Sequence, residues 1–242
     1  MAFFQDTTAP SLSEPQGHLG FSRSALLWVC LTGLLVFSPA LASKMRPLPT
    51  ETLVAKAETA LAANDFHTGI ALYERAVRSA PETPGLYLDL ALACERGMFA
   101  LGEDAPQLRS MLFHRMLDAY REARERFPED DYIAASYAAT CSMTEHLDFP
   151  VDVAEAISAW KYCLRLRELA YAEHPTQFNE EEMILPLLSL GRLTIQSGAF
   201  GEARGYLERV ARIVPDSAVL AKLRTRLAKA ESHLAAVRPR GE

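Results

Sequence analysis

From Thr50 onward the hydrophobic positions of this chain follow a helical period, and small residues and prolines recur with them at fixed distances. Leu53, Ala57 and Ala60 open the first stripe. It closes on an aromatic-x-x-Ala-x-x-x-x-Pro spacing at Tyr73, Ala76 and Pro81. The same spacing returns at Tyr120, Ala123 and Pro128. A third helix end keeps Ala170 and Pro175 with Arg167 in first place, and a fourth has Leu207, Val210 and Pro215. Beyond Pro215 a stripe of Leu220, Leu223, Leu227, Ala230 and Leu234 alternates steps of three and four, while Lys222, Arg224, Arg226 and Lys229 fall mainly off it. No stretch alternates as a half-buried strand does. The pattern predicts an all-α solenoid of about four hairpins over residues 50–237, ended by a capping helix, with residues 238–242 as a flexible tail.

The middle of the array is enlarged. Pro81, Pro128 and Pro175 stand 47 residues apart. In that register Leu90 pairs with Tyr137, Ala91 with Ala138, Cys94 with Cys141, Phe113 with Trp160, Leu117 with Leu164 and Ala123 with Ala170. The extra residues fall near Met98–Gln107 and Thr144–Asp152, each with a breaker, Gly102 or Pro150, ahead of a long second helix. Those helices are expected over about Ala105–Phe127 and Val151–Glu173. An acidic segment, Thr176–Met183, precedes the last hairpin.

The last hairpin reads Leu187, Leu190-Gly191, Thr194, Gly198, Phe200, Ala203, Leu207, Val210, Pro215. This resembles the tetratricopeptide repeat, a helix-turn-helix unit of about 34 residues, with Leu187, Thr194, Leu207 and Val210 as departures. The first hairpin follows the same spacing through Asn64-Asp65-Phe66, Gly69, Tyr73, Ala76 and Pro81. Asn64 and Gly198 are expected at left-handed helix ends, and Gly191 against Ala203 at a close helix crossing. The enlarged units exceed the family length by about a dozen residues each.

The resemblance implies a protein-interaction scaffold whose partner lies in a concave groove lined by the first helix of each hairpin. The matching positions are Glu51, Val54, Glu58 and Leu61, then Leu88 and Leu92, then Tyr132, Ala135 and Ala139, and finally Leu185, Leu188, Arg192 and Ile195. Family members that clamp a carboxylate use Lys and Asn there. Here Val54 and Leu188 replace the Lys, and Glu58 and Arg192 replace the Asn, so that clamp is missing. The groove suits a helix or an extended apolar peptide, although packing between repeats is an equal reading of its apolar character. The other functional reading is an accessory part of an envelope transport or polymer-export machine that contacts a solute or glycan.

Composition changes the picture in two ways. Net charge is −6, so no basic footprint for nucleic acid exists. The N-terminus carries a separate signal: Arg23, an apolar run over Ala25–Phe37, then Ala40-Leu41-Ala42. This is the pattern of a secretory signal peptide over residues 1–42, followed by a linker over 43–49, and it implies an exported, periplasmic protein of a bacterial envelope. The alternative is an inner-membrane anchor over residues 25–42. The long leader before Arg23 leaves the start position open.

Candidate chemistry is sparse, and the expectation is a non-catalytic protein with no cofactor and no metal. His67, His114, His146, His174 and His233 are scattered, and none has metal-site spacing. Glu145-His146 with Asp148 is the single acid–histidine group, at a helix end. Glu129-Asp130-Asp131 follows Pro128, where carboxylates cap a helix. Cys94 and Cys141 occupy equivalent positions and read as small packing residues, while Cys141 and Cys163 share a hairpin and are the pair that oxidation in an exported protein would join.

Overall fold

Proline, asparagine and glycine set the ends of the helices, and the computed structural model describes the result for residues 48–143 and 152–237. In chain order these are α1 (Thr50–Ala62), α2 (Phe66–Ser79), α3 (Pro84–Ala100), α4 (Pro106–Arg126) and α5 (Asp131–Met143). There follow α6 (Val153–Glu173), α7 (Gln177–Glu182), α8 (Ile184–Gln196), α9 (Phe200–Ile213) and α10 (Ala218–Val237). No described residue lies in a strand. The apolar run 25–37, the Ala-x-Ala site, residues 43–47 of the linker, Pro150, the Glu145-His146-Asp148 group and the tail 238–242 lie outside the described residues. Among the described residues no helix is long and apolar enough to cross a membrane.

Each helix packs on its successor from α1 through α6. Helix α6 then packs on α8, with the short α7 resting on both, and α10 closes against α9 and α8. The fold is a tetratricopeptide-like solenoid of four hairpins, α1–α2, α3–α4, α5–α6 and α8–α9, with α10 as the closing helix.

The turns explain why the hairpins form where they do. Asn64, Gly102 and Gly198 have φ of 59°, 62° and 79°, the left-handed region that reverses a chain after a helix. The first and last hairpins use the same closure: Asp65 N–H donates to Ala60 C=O at 2.8 Å, and Ala199 N–H donates to Thr194 C=O at 2.9 Å. Four helix starts are held by carboxylates or a hydroxyl. Asp65 accepts from Thr68 N–H (3.1 Å), Asp130 from Ile133 N–H (2.9 Å), Asp152 from Ala154 N–H (2.9 Å) and Thr176 from Asn179 N–H (3.1 Å). The acidic run after Pro128 is thus a cap, as expected.

The 47-residue register survives in the packing. Ala91 and Ala138 are both fully buried, Cys94 and Cys141 face the core, and Phe113 and Trp160 are 3% and 2% exposed. The inserted residues extend α3 to Ala100 and lengthen α4 and α6 to 21 residues. Trp160 Nε1–H donates to Ser142 Oγ at 2.8 Å, so the one polar atom of that ring is satisfied inside the core.

Three expectations need correction, and one departure from the motif finds its reason. A Cβ on Gly191 would meet Leu207 Cδ2 at 2.8 Å, so the close crossing is against Leu207 and not Ala203. Ala170 is exposed, whereas Ala76 and Ala123 are fully buried. The reason is that α7, rather than the next full hairpin, follows α6 there. Arg167, in the aromatic place, is 8% exposed and pairs with Asp131 of α5 (3.4 Å) and Glu182 of α7 (3.0 Å), so a cation between acids substitutes for a ring. In α10, Leu220, Leu223 and Leu227 are buried but Leu234 is 42% exposed, because the helix outruns the hairpin that it covers.

Candidate functional site

The first helices α1, α3, α5 and α8 present side chains that their own hairpin partners leave uncovered. On α1, Glu58 and Glu51 are exposed, and Val54 and Leu61 are half-buried. On α3, Leu88 is half-buried and Leu92 is 41% exposed. On α5, Tyr132 is 63% exposed, with Ala139 exposed and Ala135 half-buried beside it. On α8, Leu185 is 54% exposed, Arg192 is half-buried, and Leu188 is half-buried against the core. Ile195 does not join them. It is 5% exposed and belongs to the core, since α9 folds back over the end of α8.

Three of the expected positions meet in one place. Glu58 and Leu61 of α1 and Leu92 of α3 line a pocket of about 250 Å³ together with Ala62, Tyr73, Asp89, Ala93 and Arg96. Its walls are leucine and alanine, and its polar groups are two carboxylates, a guanidinium and a phenol. Burial raises the Asp89 carboxyl above the usual carboxylate range; the neighbouring charge of Glu58 adds to that, and Arg96 offsets part of it. Burial likewise raises Tyr73, with further contributions from Asp89 and Glu58. The Tyr73 side chain is 4% exposed, and among the described residues no protein group hydrogen-bonds its hydroxyl. That oxygen is not sealed from solvent either, so it opens on the pocket that Tyr73 lines.

Asp89, Arg96 and Tyr73 escaped the sequence reading for different reasons. Asp89 adjoins Leu88, and Arg96 lies one turn after Leu92, so a wider helical stripe over α3 contains both. Tyr73 reads from sequence as inter-helix packing, which is right for its ring and silent on its hydroxyl.

At the opposite end of the array the sign reverses. Burial lowers Arg192 of α8, and the charge of Arg226 on α10 lowers it further. The first-helix face therefore carries carboxylates near α1 and α3 and guanidinium groups near α8 and α10.

Two other clefts differ in kind. One of about 510 Å³ between α2 and α4 is lined by charges already paired with each other, Arg115–Glu74 at 2.9 Å and Arg126–Glu122 at 3.1 Å. The other, of about 210 Å³, is apolar, with Phe66, Ile70, Leu108, Met111 and Leu112 in its walls.

Metal ligands and thiols can be placed among the described residues. No group of His, Cys, Asp and Glu there is arranged to hold a metal ion. Cys94, Cys141 and Cys163 are buried and form no disulfide among the described residues. Burial pushes Cys94 up to about 12, and Cys141 and Cys163 up to about 11, which keeps them protonated and poorly nucleophilic. Cys141 and Cys163, the pair that oxidation would join, are not bonded to each other.

No protein-family model and no curated protein matches the chain. Several solved structures are similar in fold. TTC0263, a thermophilic tetratricopeptide protein of Thermus thermophilus, is 19% identical over 86% of this chain and 96% of its own, with a TM-score of 0.43. A MamA protein is 12% identical over 80% of this chain and 97% of its own, with a TM-score of 0.49. A MamA RS-1 double mutant is 11% identical over 77% and 97%, with a TM-score of 0.43.

Proposed function

We propose that this protein is a non-catalytic scaffold that holds a partner peptide or helix along its first-helix face. The observation that carries this reading is the pocket where Glu58, Leu61 and Leu92 converge from two different hairpins, with Tyr132 and Leu185 exposed on the hairpins that follow. Large apolar side chains left open on successive first helices fit a docking surface better than a packing core. The apolar run at 25–37 with its Ala-x-Ala site favours an exported protein working in a bacterial envelope, periplasmic or anchored by residues 25–42.

A second reading has one observation in its favour. Tyr132 is an aromatic ring 63% exposed on the same face, and such a ring stacks on a sugar as readily as on a peptide. That reading makes the protein an accessory part of an envelope export or transport machine that contacts a glycan or solute.

The test compares partner capture with helicity. Leu92→Asp and Leu185→Asp place a charge on the face, and both positions are open enough to keep the free protein folded. Leu188→Asp is the less clean probe, because Leu188 also packs on the core. Pull-down yield from an envelope extract should fall strongly for both exposed variants at unchanged circular dichroism. Loss of helicity together with capture would show these leucines to be core and remove the groove. Retention of capture with loss on Tyr132→Ala alone would favour the sugar-stacking reading.

A further inference from the structure

The pocket between α1 and α3 has a polarity that narrows what can fill it. Two carboxylates, Glu58 and Asp89, face one guanidinium, Arg96, so the balance is acidic. The Tyr73 hydroxyl opens on the same space with no protein partner among the described residues, although its side chain is more than nine-tenths buried. Its ring is buried while its oxygen keeps access to the pocket, so the hydroxyl is available to accept or donate a hydrogen bond there. The remaining walls, Leu61, Ala62, Leu92 and Ala93, are aliphatic. An occupant that matches all of this has a long methylene stem and a cationic head that donates several hydrogen bonds.

We propose that this pocket accepts a lysine side chain of a protein partner, its ammonium held by Glu58, Asp89 and the Tyr73 hydroxyl and its stem lying along Leu61 and Leu92. The proposal rests on reading the first-helix face as a protein-binding surface, and it adds the chemistry of one anchor. Lysine fits because its three donors match two carboxylates and a phenol oxygen, while its four-carbon stem covers apolar surface. A guanidinium is a planar fork suited to one bidentate carboxylate, whereas an ammonium is a compact point charge that separate acceptors can surround. A carboxylate would meet Glu58 and Asp89. An apolar side chain would further bury the half-buried Asp89 carboxylate with no cation added to offset it. The arrangement is the reverse of a clamp for carboxylates, in keeping with Glu58 at a position where such a clamp has a neutral amide.

The surroundings of Asp89 point the same way. Asp89 is held above its ordinary range by burial and by Glu58, so the folded protein bears its charge at a cost that an ammonium would relieve. Asp89→Asn should therefore fold at least as well as the parent chain, which makes it a clean probe.

The test uses the ¹⁵N-labelled full-length chain and three acetylated, amidated heptapeptides, Ala-Leu-Ala-X-Ala-Leu-Ala, with X as lysine, norleucine or glutamate. Titration followed by amide chemical shifts should show the lysine peptide perturbing Leu61, Asp89 and Leu92. It should bind about tenfold or more tightly than the norleucine peptide, the scale of one hydrogen bond to a charged group. Asp89→Asn and Glu58→Gln should each reduce lysine-peptide affinity about tenfold and leave norleucine binding unchanged. Equal affinity for lysine and norleucine would overturn the proposal and leave an apolar groove standing. Tighter binding of the glutamate peptide would overturn it in favour of Arg96. Absence of any perturbation at these residues would overturn it too, and the Leu92→Asp capture experiment would then decide the groove independently.

Discussion

Gly191 and Leu207 form the tightest crossing of the last hairpin. A single added Cβ would lie 2.8 Å from one Leu207 methyl and 3.3 Å from its Cγ, and Leu207 is 1% exposed. Gly191→Leu should therefore overpack the crossing and destabilise the fold by about 1–3 kcal/mol, an effect that improved helix propensity offsets only in part. A denaturant midpoint measures it, and an unchanged midpoint would mean that α8 and α9 separate at no cost. The first hairpin solves the same problem with its partners exchanged: Gly69 stands on α2, and a Cβ there would press on Leu61 at 2.6 Å. Side-chain replacement follows the same local logic at Arg167. A cation takes the place of tyrosine because Asp131 and Glu182 supply the neighbours that an aromatic ring would have lacked.

At the scale of the element, side-chain caps hold the starts of α2, α5, α6 and α7. Helix α5 starts after Pro128, where Asp130 accepts from Ile133 N–H at 2.9 Å. Asp130→Ala leaves that amide without its acceptor and should cost about 1 kcal/mol, read from urea unfolding. A cost within error would show that solvent satisfies the amide equally well. Long α4 and α6 depend less on caps and more on their buried sides. Helix α6 buries Ala156, Ala159, Trp160, Cys163, Leu164 and Arg167, spaced at three and four residues over three turns. The three cysteines are part of this packing, and their raised thiol values fit residues chosen for size rather than reactivity.

At the scale of the whole molecule, a solenoid is stabilised by neighbours, so damage should stay near its source. Helix α10 covers the last hairpin with Leu220, Leu223 and Leu227, each buried and each worth about 1.5–3 kcal/mol of apolar transfer. Ending the chain after Pro215 should uncover that hairpin. Hydrogen exchange should then show faster exchange in α8 and α9, with α1 and α2 little changed. Uniform loss of protection from α1 to α9 would show instead that the array unfolds as one block.

Helix periods, left-handed turn positions and the 47-residue register were legible in the sequence, because each depends on residues close in the chain. A stripe at three and four residues, an Asn or Gly at a reversal and a Pro past a helix act locally, so Asn64, Gly198 and the paired Phe113 and Trp160 fell where the pattern put them. Contacts between helices were decided only by the tertiary structure. Ala170 keeps the motif spacing and lies in solvent, Ile195 keeps the groove spacing and lies in the core, and Gly191 faces Leu207 rather than Ala203. The pocket is the same kind of fact. Glu58, Tyr73 and Asp89 come from three helices, and periodicity states which side of a helix a residue occupies without stating what packs there. Burial by a neighbouring helix, which raises both Asp89 and Tyr73, is a property of the assembled array alone.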